Sequence, residues 1–242
     1  MAVVTGTNPP AAALAGGSEP VAVGTPRGPV EVFDAGTHVV VGRHGSEVSV
    51  PAHLVDHERN LRALVALGCD RVLAVASTGS LRRDLPTGSV IAPDDLFGPW
   101  VNPTIFDDQR GHSVPGFDPV WRAEVVGAWR DRAATPIHDG GVYVQTGGPR
   151  FETPAEIRFF ATVGDVIGMT VFAECLIARE LGLSYAAVCV VDNLANGLGD
   201  RPLTVEEFRA GVEHNRDRMV RDLSRVIPAL SPETPSGGGP WA

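Results

Sequence analysis

Five side chains in the second half of the chain could together bind a flat, hydrogen-bonding ligand. Phe151 offers an aromatic face, and Glu152 beside it offers a carboxylate. Met169 and Thr170 add an apolar surface and a hydroxyl, and Asn193 adds a carboxamide. Stacking combined with donors and acceptors of this kind is what holding a purine nucleoside requires. The spacing indicates one ligand site assembled from three segments.

A second group of side chains could bind an oxyanion. Cations and hydroxyls follow predicted strands at Thr7, at Arg43 and His44, at Ser77 and at Thr170. An anion such as phosphate needs donors of this kind from several loops. In an open α/β sheet, ligands bind beyond the carboxyl ends of the strands. We therefore expect both groups to meet at one edge of a sheet.

The elements that position these residues alternate between strand and helix. Buried strands are predicted at Val3–Thr5, Val39–Val41, Val72–Ala76, 140–146, Val166–Ile167 and Tyr185–Val191. Helices are predicted near residues 55–67, 154–163, 172–181 and 206–227. Residues 11–28 are predicted to be loop, and Ser77–Ser80 to break the strand before it.

This order of elements predicts an α/β fold. We expect a single domain over residues 1–230, with a central mixed, largely parallel β-sheet flanked by helices. Residues 231–242 are rich in Pro, Gly and Ser, so we expect a disordered tail. A chain of 242 residues with 43% hydrophobic content is long enough for one sizeable core.

Composition excludes several classes of function. A net charge of −9 argues against a nucleic-acid binder, which needs a basic face. The N-terminus lacks the features of a signal peptide, and no apolar run approaches the ~18 residues of a membrane span. We expect a cytoplasmic protein without a membrane partner. Cys69, Cys175 and Cys189 have no CxxC spacing, and no cluster has metal-ligand spacing, so no metal is expected.

The stretch from Val142 to Gly199 resembles the trimeric purine nucleoside phosphorylase and methylthioadenosine phosphorylase family. The similarity rests on Gly147–Thr153, Gly168–Thr170 and Val191–Asn193. It implies that inorganic phosphate, as co-substrate, attacks C1′ of a purine nucleoside and releases the base and ribose 1-phosphate. It also implies a homotrimer, and it requires neither a cofactor nor a covalent intermediate.

The resemblance also assigns roles to residues. Its phosphate positions match Thr7, Arg43, His44, Ser77 and Thr170, with backbone amides supplied by Ser77–Ser80. Its nucleoside positions match Phe151, Glu152, Met169, Asn193, Val205 and His112, the last reaching into a neighbouring subunit's site. The catalytic residues implied are His44, which holds phosphate, and Asn193, which stabilises charge at N7 of the leaving base.

Base and sugar preferences depend on three positions. Glu152 can accept N1–H, and the Asn193 carboxamide can donate to O6, so the pair complements a 6-oxopurine. Family members acting on methylthioadenosine tend to have Asp in place of Asn193. A one-residue local shift would present Asp192 instead and reverse the preference. Val205 stands where phosphorylases of free 5′-hydroxyl nucleosides commonly have histidine, so it favours an apolar 5′ group such as methylthio.

The chain departs from the family at Val48, where histidine is usual, at Asp192, where threonine is usual, and at Thr5 before Gly6. Three alternatives stay open. Val205 favours a methylthioadenosine or methylthioinosine phosphorylase. The departures favour a non-catalytic nucleoside-binding protein. A nucleosidase that uses water fits less well, because the pair Arg43 and His44 has little purpose without an anion.

Overall fold

A computed structural model describes residues 1–45, 50–200 and 202–231 of the chain. Its strands are β1 (Ala2–Thr5), β2 (Pro20–Val23), β3 (Val30–Asp34), β4 (Val39–Gly42), β5 (Arg71–Ser80), β6 (Val90–Ala92), β7 (Asp95–Phe97), β8 (Ile137–Asp139), β9 (Val142–Gln145), β10 (Val166–Gly168) and β11 (Ser184–Leu194). Its α-helices are α1 (His57–Ala66), α2 (Pro119–Arg132), α3 (Pro154–Phe160), α4 (Val171–Glu180) and α5 (Val205–Leu230).

The strands form one mixed, largely parallel sheet with β5 at its centre. Strand β5 pairs in parallel with β1 on one edge and with β11 on the other. Beyond β1 come β4 in parallel and then β3 and β2, both antiparallel. The end of β5 also pairs with β10, which leads to β9 and β7, while β6 and β8 lie beyond β11. This sheet confirms the predicted fold class.

Helices cover both faces of the sheet, which explains its continuous apolar strands. Successive residues of β5 point to opposite faces. Val72 and Ala74 pack in the core with α1 and α4, whereas Leu73 and Val75 pack with α2 and α5. Each strand of this kind therefore contributes to two cores.

Two loop predictions were wrong. Residues 11–28 contain a short 3-10 helix at Ala11–Leu14 and the edge strand β2, which pairs with β3. Ser77–Ser80 does not break β5, because β11 stays paired with β5 along its whole length. Local propensity favoured a turn there, but the partner strand overrides it. The predicted tail lies outside the described residues from position 232 onwards.

The described residues contain no helix that is both long and apolar enough to cross a membrane. They also contain no cluster of three potential metal-binding His, Cys, Asp or Glu side chains. Cys69, Cys175 and Cys189 are unpaired. Burial raises the pKa of Cys175 and of Cys189 to about 12, so both thiols stay protonated near neutral pH.

Candidate functional site

A cavity of about 750 Å³ opens at the carboxyl ends of β1, β4 and β10. One edge of β5 changes partner here. Val75 is paired with β1, and Gly79 is the residue where pairing with β10 ends. Among the described residues, no strand pairs with this edge of β5 between Val75 and Gly79. Ser77 and Thr78 lie in this gap and line the cavity. The change of partner strand thus creates the site.

Ten of the predicted site residues line this one cavity. They are Thr7, Arg43, His44, Ser77, Phe151, Glu152, Met169, Thr170, Asn193 and Val205. His112 does not line it. That side chain is exposed, and its Nδ1 lies 3.2 Å from the carbonyl oxygen of Gln109. Val48, the departure beside Arg43 and His44, lies outside the described residues.

Arg43 is held in the cavity wall by a buried ion pair. Its Nε donates to Glu174 Oε2 at 2.7 Å, and its Nη2 donates to Glu174 Oε1 at 2.8 Å. Its Nη1 donates to the carbonyl oxygen of Val75 at 3.1 Å. A guanidinium has five N–H groups. Three are used by these bonds, and the other two have no partner among the described residues.

Glu174 was missed by the sequence analysis, although a signal was present. It is the only charged residue in the apolar run from Val171 to Ala178, and buried carboxylates are paired. Burial by itself would raise the pKa of Glu174, but the charge of Arg43 outweighs it and holds that pKa well below its ordinary value. The phenol of Tyr185 also donates to Glu174, at 2.8 Å. The Arg43 guanidinium is therefore held in one orientation at the cavity, and Glu174 neutralises part of its charge.

His44 lies beside this pair. Its Nδ1 is 2.8 Å from the carbonyl oxygen of Val50. Because a carbonyl only accepts, Nδ1 carries the hydrogen, and Nε2 is left as an acceptor in the neutral ring. Burial, with a further contribution from the charge of Arg43, lowers the pKa of His44. His44 is therefore neutral near pH 7 in the absence of an anion.

Ser77 differs from its predicted position. It lies within β5 rather than in a loop, and its hydroxyl is hydrogen-bonded to Oδ2 of Asp192. The other carboxylate oxygen of Asp192 accepts from Asn215 Nδ2 at 2.7 Å. Ser77 reaches the cavity with its hydroxyl already engaged, because the sheet pairs it with Val190, two residues before Asp192.

The register of β11 separates Asn193 from Asp192. Val191 pairs with Thr78 and Asn193 with Gly79, so Asp192 is the extra residue of a β-bulge. Asn193 lines the large cavity, and its Nδ2 donates one hydrogen to the carbonyl oxygen of Leu194 at 2.9 Å. Asp192 instead lies under α5 and is 2% exposed. The structure thus places the carboxamide in the cavity.

Glu152 and Phe151 form another part of the wall. Glu152 is buried, and Thr146 donates to its Oε1 at 2.5 Å. Within the described residues its Oε2 receives no hydrogen bond. The ring of Phe151 lies 6.0 Å from that of Phe208 on α5. These contacts fix an aromatic face beside an oriented carboxylate.

Asn196 connects this wall to the segment before α5, and sequence reasoning missed it. Its Nδ2 donates to the backbone carbonyl of Glu152 at 2.9 Å, and its Oδ1 accepts from the amide of Leu203 at 3.2 Å. An Asn at a loop position is too common to be recognised from sequence as a link of this kind.

Met169 and Thr170 reach the cavity from the end of β10. Gly148 has a φ of +56°, and a Cβ there would lie 2.6 Å from the Met169 sulfur. Glycine is therefore needed both for the backbone and for the close approach of Met169. Thr170 precedes α4, and its side chain makes no capping hydrogen bond. Its hydroxyl is not used by the helix and lines the cavity.

The first turns of α5 complete the cavity. Val205, Phe208 and Arg209 line it from this helix, and Phe33 lines it from β3. Only Val205 was predicted. The i, i+3 and i+4 spacing of the three α5 residues places them on one helical face, a signal that the sequence carries. This part of the wall is mainly apolar, with one cation.

Comparison with known proteins gives the family. A model described as the phosphorylase superfamily matches residues 1–228. The chain is 35% identical over 213 residues to a protein of Archaeoglobus fulgidus named "Probable 6-oxopurine nucleoside phosphorylase", covering 86% of this chain and 88% of that protein. It is 37% identical over 212 residues to a "Probable S-methyl-5'-thioinosine phosphorylase" of Methanopyrus kandleri, covering 84% and 82%.

Solved structures share the fold. A methylthioadenosine phosphorylase from an antarctic soil metagenomic library has a TM-score of 0.78 at 21% identity, covering 97% of this chain and 88% of that one. The Schistosoma mansoni methylthioadenosine phosphorylase in complex with adenine has a TM-score of 0.74 at 23% identity, covering 95% of each chain. The match over residues 1–228, with relatives at 35% and 37% identity, shows that the chain belongs to the phosphorylase superfamily.

Proposed function

We propose that this protein is a purine nucleoside phosphorylase that cleaves the N-glycosidic bond of 6-oxopurine nucleosides with inorganic phosphate. The observation that carries the proposal is that one cavity is lined both by Arg43 and His44 and by Glu152 and Asn193. The first pair suits an oxyanion, and the second suits a 6-oxopurine. The relatives named as 6-oxopurine nucleoside and methylthioinosine phosphorylases support the same base class.

Phosphate is the nucleophile in this proposal. The two free N–H groups of Arg43 donate to its oxygens, together with the hydroxyls of Thr7 and Thr170. Neutral His44 accepts the phosphate O–H at Nε2. The anion then attacks C1′ as the bond to the purine breaks through an oxocarbenium-like state. Holding phosphate close to C1′ removes much of the entropic cost of a bimolecular reaction. No metal or cofactor enters the reaction.

The base is selected by two oriented groups. Oε2 of Glu152 accepts the N1–H of a 6-oxopurine, and the second amide hydrogen of Asn193 donates to O6 or N7. N1 of a 6-aminopurine carries a lone pair and no hydrogen. It would therefore face the Glu152 carboxylate, which only accepts, without forming a hydrogen bond. Unpaired buried polar groups of this kind lower kcat/KM strongly. Asn193 further stabilises the negative charge of the leaving base.

A second candidate is S-methyl-5′-thioinosine phosphorylase. Val205 and Phe208 favour it, because both line the cavity and neither can hydrogen-bond a 5′-hydroxyl. The relative from Methanopyrus kandleri carries that name. The two candidates share the base and differ only in the group at C5′.

A panel of nucleosides tests the proposal. Inosine, guanosine, adenosine, methylthioinosine and methylthioadenosine are each incubated with and without phosphate, and the free base is measured. Phosphate-dependent release of hypoxanthine or guanine is expected. Release without phosphate would indicate a nucleosidase, and binding without release would indicate a nucleoside-binding protein. Either result would overturn the proposal.

We also propose that the site is completed in a homotrimer. His112 is exposed and does not line the cavity of its own chain, so if it serves a cavity of this kind, that cavity belongs to a neighbouring subunit. Sedimentation should give a mass of three chains. Mixing His112→Ala chains with chains inactivated at Arg43 should restore activity, because some sites then combine an intact cavity with an intact His112. No recovery would contradict the shared site.

A further inference from the structure

A chain of hydrogen bonds leads from the cavity to the long helix α5. The Ser77 hydroxyl meets Oδ2 of Asp192, and Asn215 Nδ2 donates to Oδ1 of Asp192 at 2.7 Å. Arg218 Nη2 in turn donates to Asn215 Oδ1 at 2.7 Å. Asp192 and Asn215 are 2% and 0% exposed. The buried carboxylate is therefore in direct contact with a residue that lines the anion-binding wall.

The ionisation of Asp192 decides what Ser77 can offer to a ligand. A hydroxyl has one hydrogen, and an ionised carboxylate only accepts. While Asp192 is ionised, Ser77 donates that hydrogen to it and turns only lone pairs towards the cavity. If Asp192 is protonated, its own O–H donates to Ser77 Oγ. The Ser77 hydrogen is then free for an anion.

We propose that Asp192 is a positioning residue for phosphate: it takes up one proton when the anion binds and thereby redirects the Ser77 hydroxyl from Asp192 to a phosphate oxygen. This inference rests on the phosphate site of the proposed function. The proton comes from solvent and is held at Oδ2. No bond other than hydrogen bonds is made or broken.

The surroundings of Asp192 are compatible with protonation. Burial raises its pKa, against the hydrogen bonds from Ser77 and Asn215 and the charge of Arg218. Among the described residues, the other charged groups that share a small cavity with it are Asp200 and Glu207. Helix α5 packs directly on the bulge, since a Cβ on Gly211 would lie 1.8 Å from the Asp192 carbonyl oxygen. A dianion at the Ser77 side favours the neutral acid further.

Sulfate binding tests the inference without nucleoside turnover. Sulfate keeps the same charge between about pH 5.5 and 8, so a change in its affinity reports groups of the protein. Asp192→Asn imitates the protonated state: its Nδ2 can donate to Ser77, and its Oδ1 can accept from Asn215. Titration calorimetry is done with the wild type, Asp192→Asn, Ser77→Ala and the double variant.

At about pH 8 we expect Asp192→Asn to bind sulfate about tenfold more tightly than the wild type, the worth of one hydrogen bond to a charged group. At low pH the two should converge, and any pH dependence left in Asp192→Asn belongs to His44. In the Ser77→Ala background, Asp192→Asn should give no gain. Equal affinities of wild type and Asp192→Asn over the whole range, as a purely structural Asp192 predicts, would overturn the inference.

Proton uptake by the wild type gives a measurement that needs no variant of Asp192. Repeating the sulfate titration in buffers of different ionisation enthalpy should show proton uptake that decreases in Ser77→Ala. Unchanged uptake in Ser77→Ala, or no sulfate or phosphate binding at any pH, would also overturn the inference. If the sulfate results hold but no nucleoside is cleaved, the proposed function fails and the role of Asp192 stands.

Discussion

Arg43 and Glu174 form a two-point ion pair in the wall of the cavity, with both side chains 1% exposed. The carboxylate holds the guanidinium by Nε and Nη2, Nη1 donates to the carbonyl oxygen of Val75, and two N–H groups have no partner among the described residues. A free arginine would have to be ordered by the anion it binds. Here the fold has ordered it in advance.

Glu174→Gln should destabilise the protein strongly. The change leaves Arg43 buried without a counter-charge, and breaking a buried pair costs about 3 kcal/mol or more. For a chain of this size that lowers Tm by about 10 °C. Thermal unfolding followed by circular dichroism measures it. Glu213→Gln is the matched control, because its ion pair with Arg216 is at the surface and should change Tm little.

The pH dependence of the free energy of unfolding should reflect the ion pair between Arg43 and Glu174. The pKa of Glu174 is held well below its ordinary value of 4.5 in the folded protein. Its contribution to the free energy of unfolding is therefore complete above that value and is lost as pH falls towards the folded-state pKa. Urea unfolding of wild type and Glu174→Gln should differ most near neutral pH and less at about pH 3. If the difference in the free energy of unfolding between wild type and Glu174→Gln grew as the pH fell, this prediction would be contradicted.

Gly6→Ala should weaken phosphate binding. A Cβ at position 6 would lie 2.6 Å from Arg43 Nη1 and 3.3 Å from the Val75 carbonyl oxygen. Since Glu174 pins the guanidinium, the arginine cannot move aside cheaply. We expect KM for phosphate to rise about tenfold, the loss of roughly one charged hydrogen bond. Gly127→Ala in α2 is the control, because a Cβ there meets nothing within 4 Å. Equal phosphate KM in both variants would show that Gly6 does not constrain Arg43.

Asn193→Asp should shift preference towards 6-aminopurines. The bulge at Asp192 places only residue 193 in the large cavity. A carboxylate at 193 accepts from a 6-amino group and repels O6. The ratio of kcat/KM for methylthioinosine to that for methylthioadenosine should fall at least about tenfold. Asp192→Asn provides the adjacent control and should leave this ratio unchanged. If the control moved the ratio and Asn193→Asp did not, the register of β11 would be wrong.

Val205→His should favour nucleosides with a free 5′-hydroxyl. Val205 lies at the start of α5 and lines the cavity. An imidazole there can hydrogen-bond a hydroxyl but not a methylthio group. The kcat/KM ratio of inosine to methylthioinosine should rise about tenfold. Val120→His, on the exposed side of α2, is the control. An unchanged ratio would place the 5′ group elsewhere.

Most helices and buried strands could be predicted from the sequence because their periodicity and caps are local. Gly68, for example, follows α1 with a φ of +70°, the conformation in which a glycine commonly ends a helix. The 14-residue helix α2 was missed, although Asp118 caps its N-terminus. Strand β3 was missed, and Ser77–Ser80 was assigned to a loop. Ser77–Ser80 stays extended because it pairs with the distant strand β11, whereas β3 is held between its sequence neighbours β2 and β4, and local composition reports neither pairing.

The candidate site could also be predicted from the sequence only in part. Residues at strand ends were found because strand ends are where α/β proteins bind ligands. The sequence favoured Asn193 over Asp192 but left a one-residue shift open, because the bulge that separates the two residues, where α5 packs closely at Gly211, cannot be read from local sequence. The link between Arg43 and Glu174 spans 131 positions, and nothing in the sequence near either residue points to the other.

Selectivity for the base at C6 is the central claim, and one competition measures it most directly. Equal concentrations of methylthioinosine and methylthioadenosine, which differ only at the base, are given to a limiting amount of protein with saturating phosphate. Hypoxanthine and adenine are separated by chromatography during the first few per cent of conversion. The pair Glu152 and Asn193 predicts that hypoxanthine is released faster by at least about tenfold. Faster release of adenine would contradict the account.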